Sequence, residues 1–140
     1  MRWAAHLLAT AQALDEEMQS RIDSHRAGRG PEWTSIEEPL NIVDKLGAGR
    51  TIVVDCLTLW LSNLILAGRD VAKESDAVIA AARASSSTII FVTNEVGCGI
   101  VPENELSRRF RDNAGWLNQR IAEVANEVYW MAFGCPLRVK

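Results

Sequence analysis

Two short apolar runs constrain this chain most. Thr51–Asp55 (TIVVD) and residues 88–93 (TIIFVT) are rich in β-branched residues and apolar almost throughout. A strand of that kind is buried on both faces, and such strands belong to parallel sheets covered by helices. The segments around them have helical spacing. Residues 57–67 form one helix stopped by Gly68, and residues 70–84 form another with Val71, Val78, Ile79 and Ala82 as its apolar positions. Residues 15–27 form a third, with Leu14, Met18, Ile22 and His25 on one stripe and Gly28, Gly30 and Pro31 as its stop. Residues 105–126 read as a long amphipathic helix carrying Leu106, Phe110, Leu117, Ile121 and Val124. Residues 7–9 and 33–36 read as short strands, and 128–133 as a last strong one. Residues 137–140 add an edge strand, and 40–46 are helical, ended by Gly47 and Gly49. The expected fold is α/β, a mostly parallel sheet flanked by helices. With 140 residues, it is expected to be a single domain over 1–140.

Composition narrows the function classes. Hydrophobic residues make up 48% and charged residues 24%, an ordinary globular balance. A net charge of −3 argues against nucleic acid as the main partner, because phosphate contacts need a basic face. Stretches such as 57–61 and 64–67 are too short to span a bilayer, so no membrane insertion is expected. The first residues lack the charged and apolar regions of a signal peptide. Cys56, Cys98 and Cys135 are odd in number and widely spaced, and the histidines are His6 and His25. Neither a disulfide framework nor a zinc site is expected, and the cytoplasm is the expected compartment.

In open α/β sheets, ligands sit beyond the C-terminal ends of the strands. That singles out Thr10 and Gln12, Asp55, and Thr93-Asn94-Glu95. Asp55 ends an apolar strand in the manner of an acid that holds Mg²⁺ in phosphoryl-transfer sites. The alternative is a strand-end Asp that caps the helix starting near Leu57. No G-x-x-x-x-G-K-[ST] phosphate loop occurs, and the lysines are Lys45, Lys73 and Lys140. Gly97-Cys98-Gly99 follows a strand, but Pro102 stands where a dinucleotide fingerprint wants glycine. His25 has Arg26 and Arg29 beside it and Arg21 one turn back. A neutral imidazole is a nucleophile, and guanidinium groups hold the phosphate it attacks. On spacing alone, a helix-end His favoured by the dipole is the better reading. Arg108, Arg109 and Arg111 read as a solvated face. Tryptophans 3, 33, 60, 116 and 130 are expected in the core or at a subunit interface.

Taken together, these residues resemble one family. The series runs from Ala9-Thr10-Ala11-Gln12 through Asp15, Met18, Arg21-Ile22 and His25-Arg26-Ala27-Gly28-Arg29 to Trp33 and Glu37. It continues through 53–58 (VVDCLT), the block 92–104 (VTNEVGCGIVPEN), Arg109-Phe110-Arg111-Asp112 and Asn118-Gln119-Arg120. The chain is similar over nearly its whole length to the bifunctional adenosylcobinamide kinase / adenosylcobinamide-phosphate guanylyltransferases of cobalamin biosynthesis. The resemblance implies a P-loop NTPase or RecA-like nucleotide-binding sheet. It implies two reactions: phosphorylation of adenosylcobinamide, then transfer of GMP from GTP by way of a histidine onto adenosylcobinamide phosphate. The guanylylated histidine falls on His25. Nucleotide contacts fall on Thr10, Ala11, Gln12, Arg26, Ala27, Gly28, Arg29, Glu37 and Asp55, with Asp55 also the metal ligand. The implied small molecules are GTP, ATP and Mg²⁺, with adenosylcobinamide and its phosphate as substrates, and the implied assembly is a homotrimer. The family opens with a strand and a glycine-lysine loop, and this chain is expected to be N-terminally truncated relative to it. The alternative function is a non-catalytic, nucleotide-binding remnant.

Overall fold

A computed structural model describes residues 5–47 and 49–140. The chain divides into two compact units, residues 1–94 and 95–140. In the first unit, strands β1 (Ala5–Ala9), β2 (Trp33–Glu37), β3 (Thr51–Asp55) and β4 (Thr88–Val92) form one sheet in the order β2-β1-β3-β4. Every neighbouring pair is parallel. Helix α1 (Glu16–Ala27) carries the crossover from β1 to β2, and α2 (Leu57–Leu66) with α3 (Val71–Ala84) that from β3 to β4, while β2 reaches β3 through a segment whose one helical element is the 3-10 turn Ile42–Lys45. This is the expected α/β architecture, and it is compatible with a P-loop NTPase fold.

Register explains where the core lies. Leu8 pairs with Val54, and Val54 with Phe91, so these side chains share one face. Leu8 and Val54 are fully buried, together with Leu57, Trp60, Leu61 and Leu64 of α2 and Val78 of α3. Each such aliphatic side chain contributes about 1.5–3 kcal/mol relative to leaving it in water. The other face carries Leu7, Val53 and Ile90 in register and is less covered, with Ile90 48% exposed.

Helix ends follow local chemistry. The Asp15 carboxylate accepts the Met18 N–H at 2.7 Å, and Asp70 accepts the Lys73 N–H at 3.1 Å. Residues 40–46, expected to be helical, contain only a 3-10 turn, Ile42–Lys45. Pro39 precedes it, and the Glu38 carboxylate accepts the N–H groups of Leu40 and Asn41. Those bonds satisfy a tight turn rather than a growing α-helix.

In the second unit, α4 (Glu105–Val124) starts at Asn104, whose side chain accepts the Ser107 N–H at 2.8 Å. Strands β5 (Tyr129–Ala132) and β6 (Cys135–Arg138) then pair antiparallel as a separate two-stranded sheet. The last strong strand expected from the sequence is therefore one arm of a hairpin. Phe133 and Gly134, both at positive φ, make its two-residue turn, the geometry that matches strand twist. Among the described residues, no helix is long and apolar enough to cross a membrane.

Candidate functional site

Helix α1 delivers the site. Acidic Glu16 and Glu17 occupy its first turn and basic His25 and Arg26 its last, both favourable to the helix dipole. No residue of α1 is buried, and Leu14 stands in solvent, so the expected apolar stripe does not anchor it. Polar contacts from its C-terminal end do so instead. Arg26 pairs with Glu37 at the end of β2, and Arg29 Nη1 donates to Ser35 Oγ at 2.8 Å. His25 Nε2 lies 3.5 Å from Asp55 Oδ2 at the end of β3.

Beside the His25–Asp55 pair lies a cavity of about 290 Å³ lined by Leu7, Ser24, His25, Gly28, Arg29, Trp33 and Asp55. The His25 side chain is 72% exposed and that of Asp55 29%, so both are open to a ligand. Asp55 does not cap α2. The cap residue is Cys56, and its side chain makes no capping bond. The acid at the strand end faces the imidazole.

Of the residues expected at the site, His25, Arg29 and Asp55 thus share one cavity, and Arg26 pairs with Glu37. Gly28 joins His25, Arg29 and Asp55 in the cavity wall, and its N–H closes the helix by donating to Ser24 O at 3.2 Å. Ala27 is the exposed last residue of α1, and Ala11 and Gln12 are half-buried just past β1. Thr10 is fully buried and lines no part of the cavity. Its N–H donates to Asp55 O at 3.0 Å. Its hydroxyl donates to Cys56 O at 2.7 Å and accepts the Cys56 N–H at 2.9 Å.

One residue of this region was not foreseen. Asn63 is only 7% exposed and is the one amide in the buried set of α2, among Leu57, Trp60, Leu61 and Leu64. Its Nδ2 donates to Thr10 O at 2.8 Å and to Pro39 O at 3.0 Å. The signal was legible, since an amide in an otherwise apolar helical stripe must find partners. Nearby, Glu38 is held below the ordinary carboxylate range by the N–H groups of Asn41 and Leu40.

A resident Mg²⁺ would meet a modest donor set. Among the described residues no group of three or more His, Cys, Asp or Glu side chains could hold a metal. Mg²⁺ commonly binds through one or two carboxylates together with substrate phosphates. A single partly open carboxylate, Asp55, fits that mode.

Elsewhere, expectations divide. Trp60 is fully buried, and its indole N–H donates to Leu40 O at 2.8 Å. Trp33 is half-buried at the cavity, Trp116 and Trp130 are exposed, and Trp3 lies outside the described residues. Of the arginines read as a solvated face, Arg108 and Arg111 also bind the chain itself. Arg108 donates to Pro102 O at 3.1 Å and to Glu103 O, and Arg111 to Gly99 O at 3.2 Å and to Gly97 O. They hold the 97–103 loop by its carbonyls. All three cysteines are free.

Comparison with known proteins agrees with this picture. The family model described as cobinamide kinase / cobinamide phosphate guanyltransferase matches residues 2–139. A bifunctional adenosylcobalamin biosynthesis protein of Pseudomonas aeruginosa is 45% identical over 143 residues, covering 98% of this chain and 83% of the relative. Proteins of the same description from Salmonella typhimurium and Escherichia coli are 37% and 35% identical, each covering 95% of this chain and 84% of the relative. The chain belongs to the cobinamide kinase / cobinamide phosphate guanyltransferase family.

Proposed function

We propose that this chain carries both activities in the family's description, and that the site at the end of α1 serves the guanylyl transfer. The observation that supports this most is the approach of His25 to Asp55 at the C-terminal ends of parallel strands. That is where α/β sheets bind nucleotides.

In the proposed reaction, a neutral His25 nitrogen attacks the α-phosphorus of GTP. An N–P bond forms, the bond from the α-phosphorus to the bridging oxygen breaks, and pyrophosphate leaves. The phosphate oxygen of adenosylcobinamide phosphate then attacks the same phosphorus. The N–P bond breaks, His25 is restored, and adenosylcobinamide-GDP is released. Two in-line steps replace one difficult transfer. Arg26 and Arg29 flank the imidazole and are suited to hold phosphate oxygens by forked hydrogen bonds. Their contacts with Glu37 and Ser35 orient them beforehand. Gly28, Ala27, Ala11 and Gln12 leave room and backbone groups for the nucleotide. Asp55 would hold Mg²⁺, which when bound neutralises charge on the phosphates. In the kinase step, ATP or GTP phosphorylates the terminal hydroxyl of adenosylcobinamide. A cytoplasmic location and a homotrimeric assembly are part of the same reading, the assembly checked by light scattering.

The reading is tested by titrating GTP into the protein with and without Mg²⁺. Asp55→Asn is expected to weaken the Mg²⁺-dependent part of binding by roughly ten- to hundredfold, the scale on which metal-site partners act. Equal Mg²⁺-dependent binding in the variant would remove Asp55 from the metal site.

A further inference from the structure

The strand ends that carry the proposed nucleotide groups come from distant parts of the chain. β1 leads into Thr10-Ala11-Gln12, β2 ends on Glu37, and β3 ends on Asp55. Such ends diverge unless something registers them, because the sheet ladder stops where the strands stop. Beyond the ladder, one set of buried polar bonds continues it.

Thr10 is the first part. Its hydroxyl takes both backbone groups of Cys56, the residue after Asp55, and its own N–H reaches the Asp55 carbonyl. All of its polar groups are engaged inside the protein. Asn63 is the second part. The two hydrogens of one amide go to the carbonyls of Thr10 and Pro39, so a single side chain of α2 joins the exit of β1 to the exit of β2. One turn earlier on the same helix, Trp60 holds Leu40 O. The Glu38 N–H donates to Ala9 O at 3.0 Å, closing the set.

We infer that Asn63 and Thr10 are positioning residues for guanylyl transfer, fixing Asp55 against His25 and the 10–12 segment against the nucleotide. The inference rests on the proposed function and assigns a role to Asn63 that the site's exposed residues do not reveal. Thr10 then acts through Asp55 and Cys56 rather than by touching the nucleotide. A network that ties both amide hydrogens of Asn63 to backbone carbonyls and engages every polar group of Thr10 restricts the strand exits, and in-line transfer depends steeply on alignment.

The test compares Asn63→Leu and Asn63→Gln, and Thr10→Val and Thr10→Ser. Leu and Val fill the space without the polar bonds, while Gln and Ser keep the amide or hydroxyl. The readouts are the first-order rate of GMP attachment to His25 at saturating GTP, the half-saturating GTP concentration, and amide exchange at Cys56. For Asn63→Leu and Thr10→Val, the rate per folded molecule is expected to fall by about tenfold or more, with half-saturation moved by less than about threefold. Exchange at Cys56 should quicken in Thr10→Val, and the Gln and Ser variants should recover most of the rate. A merely structural role would lower the melting temperature and leave the rate per folded molecule within about twofold of the parent, which would overturn the inference. Thr10→Val is isosteric and decides the question if Asn63→Leu does not fold. If the parent chain itself forms no adduct, the proposed function fails and the inference with it. A parent that forms the adduct beside variants that match it sinks the inference alone.

Discussion

The two units of this chain solve the problem of polar groups differently. In residues 5–94, the decisive bonds join segments far apart in sequence: Thr10 to Cys56, Asn63 to Thr10 and Pro39, His25 to Asp55. In residues 95–140, the bonds of Arg108, Arg111 and Lys140 span eighteen positions or fewer. Arg108 and Arg111 hold carbonyls in the loop just before their own helix, and β5 and β6 pair across a two-residue turn. The fully buried large side chains all belong to the first unit. The second leaves Ile100 96% exposed, along with Trp116 and most of its hairpin. Long-range bonds can bring a histidine, an acid and two arginines to one place, whereas local bonds shape a surface. The lesson is that the candidate chemistry sits where tertiary contacts are non-local.

That contrast can be broken most directly by removing one large ring from each unit. Trp60→Ala should cost about 3–5 kcal/mol, because it empties a fully buried position and frees Leu40 O. Against a total stability of roughly 5–15 kcal/mol, that is a large share. Trp116→Ala, at a position 64% exposed, should cost less than about 1 kcal/mol. Urea unfolding of the two variants compares them, and equal losses would erase the distinction between the units.

A smaller effect is expected from Arg111→Ala, about 1 kcal/mol or less, since its bonds lie at the surface. Its signature is local. Amide exchange should quicken over 97–103, while residues 51–66 keep their protection. Faster exchange in both places would mean that the loop clamp supports the first unit as well.

The smallest effect concerns pH. Glu38 is held below its ordinary range, first by the Asn41 N–H and then by that of Leu40. Its folded-state value therefore lies below its unfolded one. The stability it contributes is fully present above the unfolded value and is lost as pH falls through the folded value. The stability difference between the parent and Glu38→Gln should shrink on acidification through the carboxylate range. A difference that grows instead would reverse the sign argued here.

Much of this was legible in the sequence, for physical reasons. The apolar strands Thr51–Asp55 and Thr88–Val92 and the helical spacing after them announce a parallel sheet, because period and punctuation are local properties. Asp55 was marked as a site residue by its place at a strand end, and the structure removes the capping alternative. On spacing alone His25 is an ordinary helix-end residue, because its partner lies thirty positions away, a separation that spacing rules do not reach. Thr10 was identified by position, yet only tertiary structure shows that its polar groups are all engaged inward. The final strand was found, but its pairing was not. Phe133 at positive φ hides a hairpin turn that Asn-Gly would have announced. Residues 40–46 carried an apolar pattern, and the Glu38 side chain turned it into a 3-10 turn.

The central claim is that His25 is the nucleophile that accepts GMP. The most direct test is intact mass after incubating the folded protein with GTP and Mg²⁺, followed by peptide mapping, with His25→Ala in parallel. The account predicts an acid-labile GMP adduct on the peptide containing His25, absent from a variant that folds like the parent. An adduct that survives His25→Ala, or a folded parent chain that takes up no GMP, would contradict it.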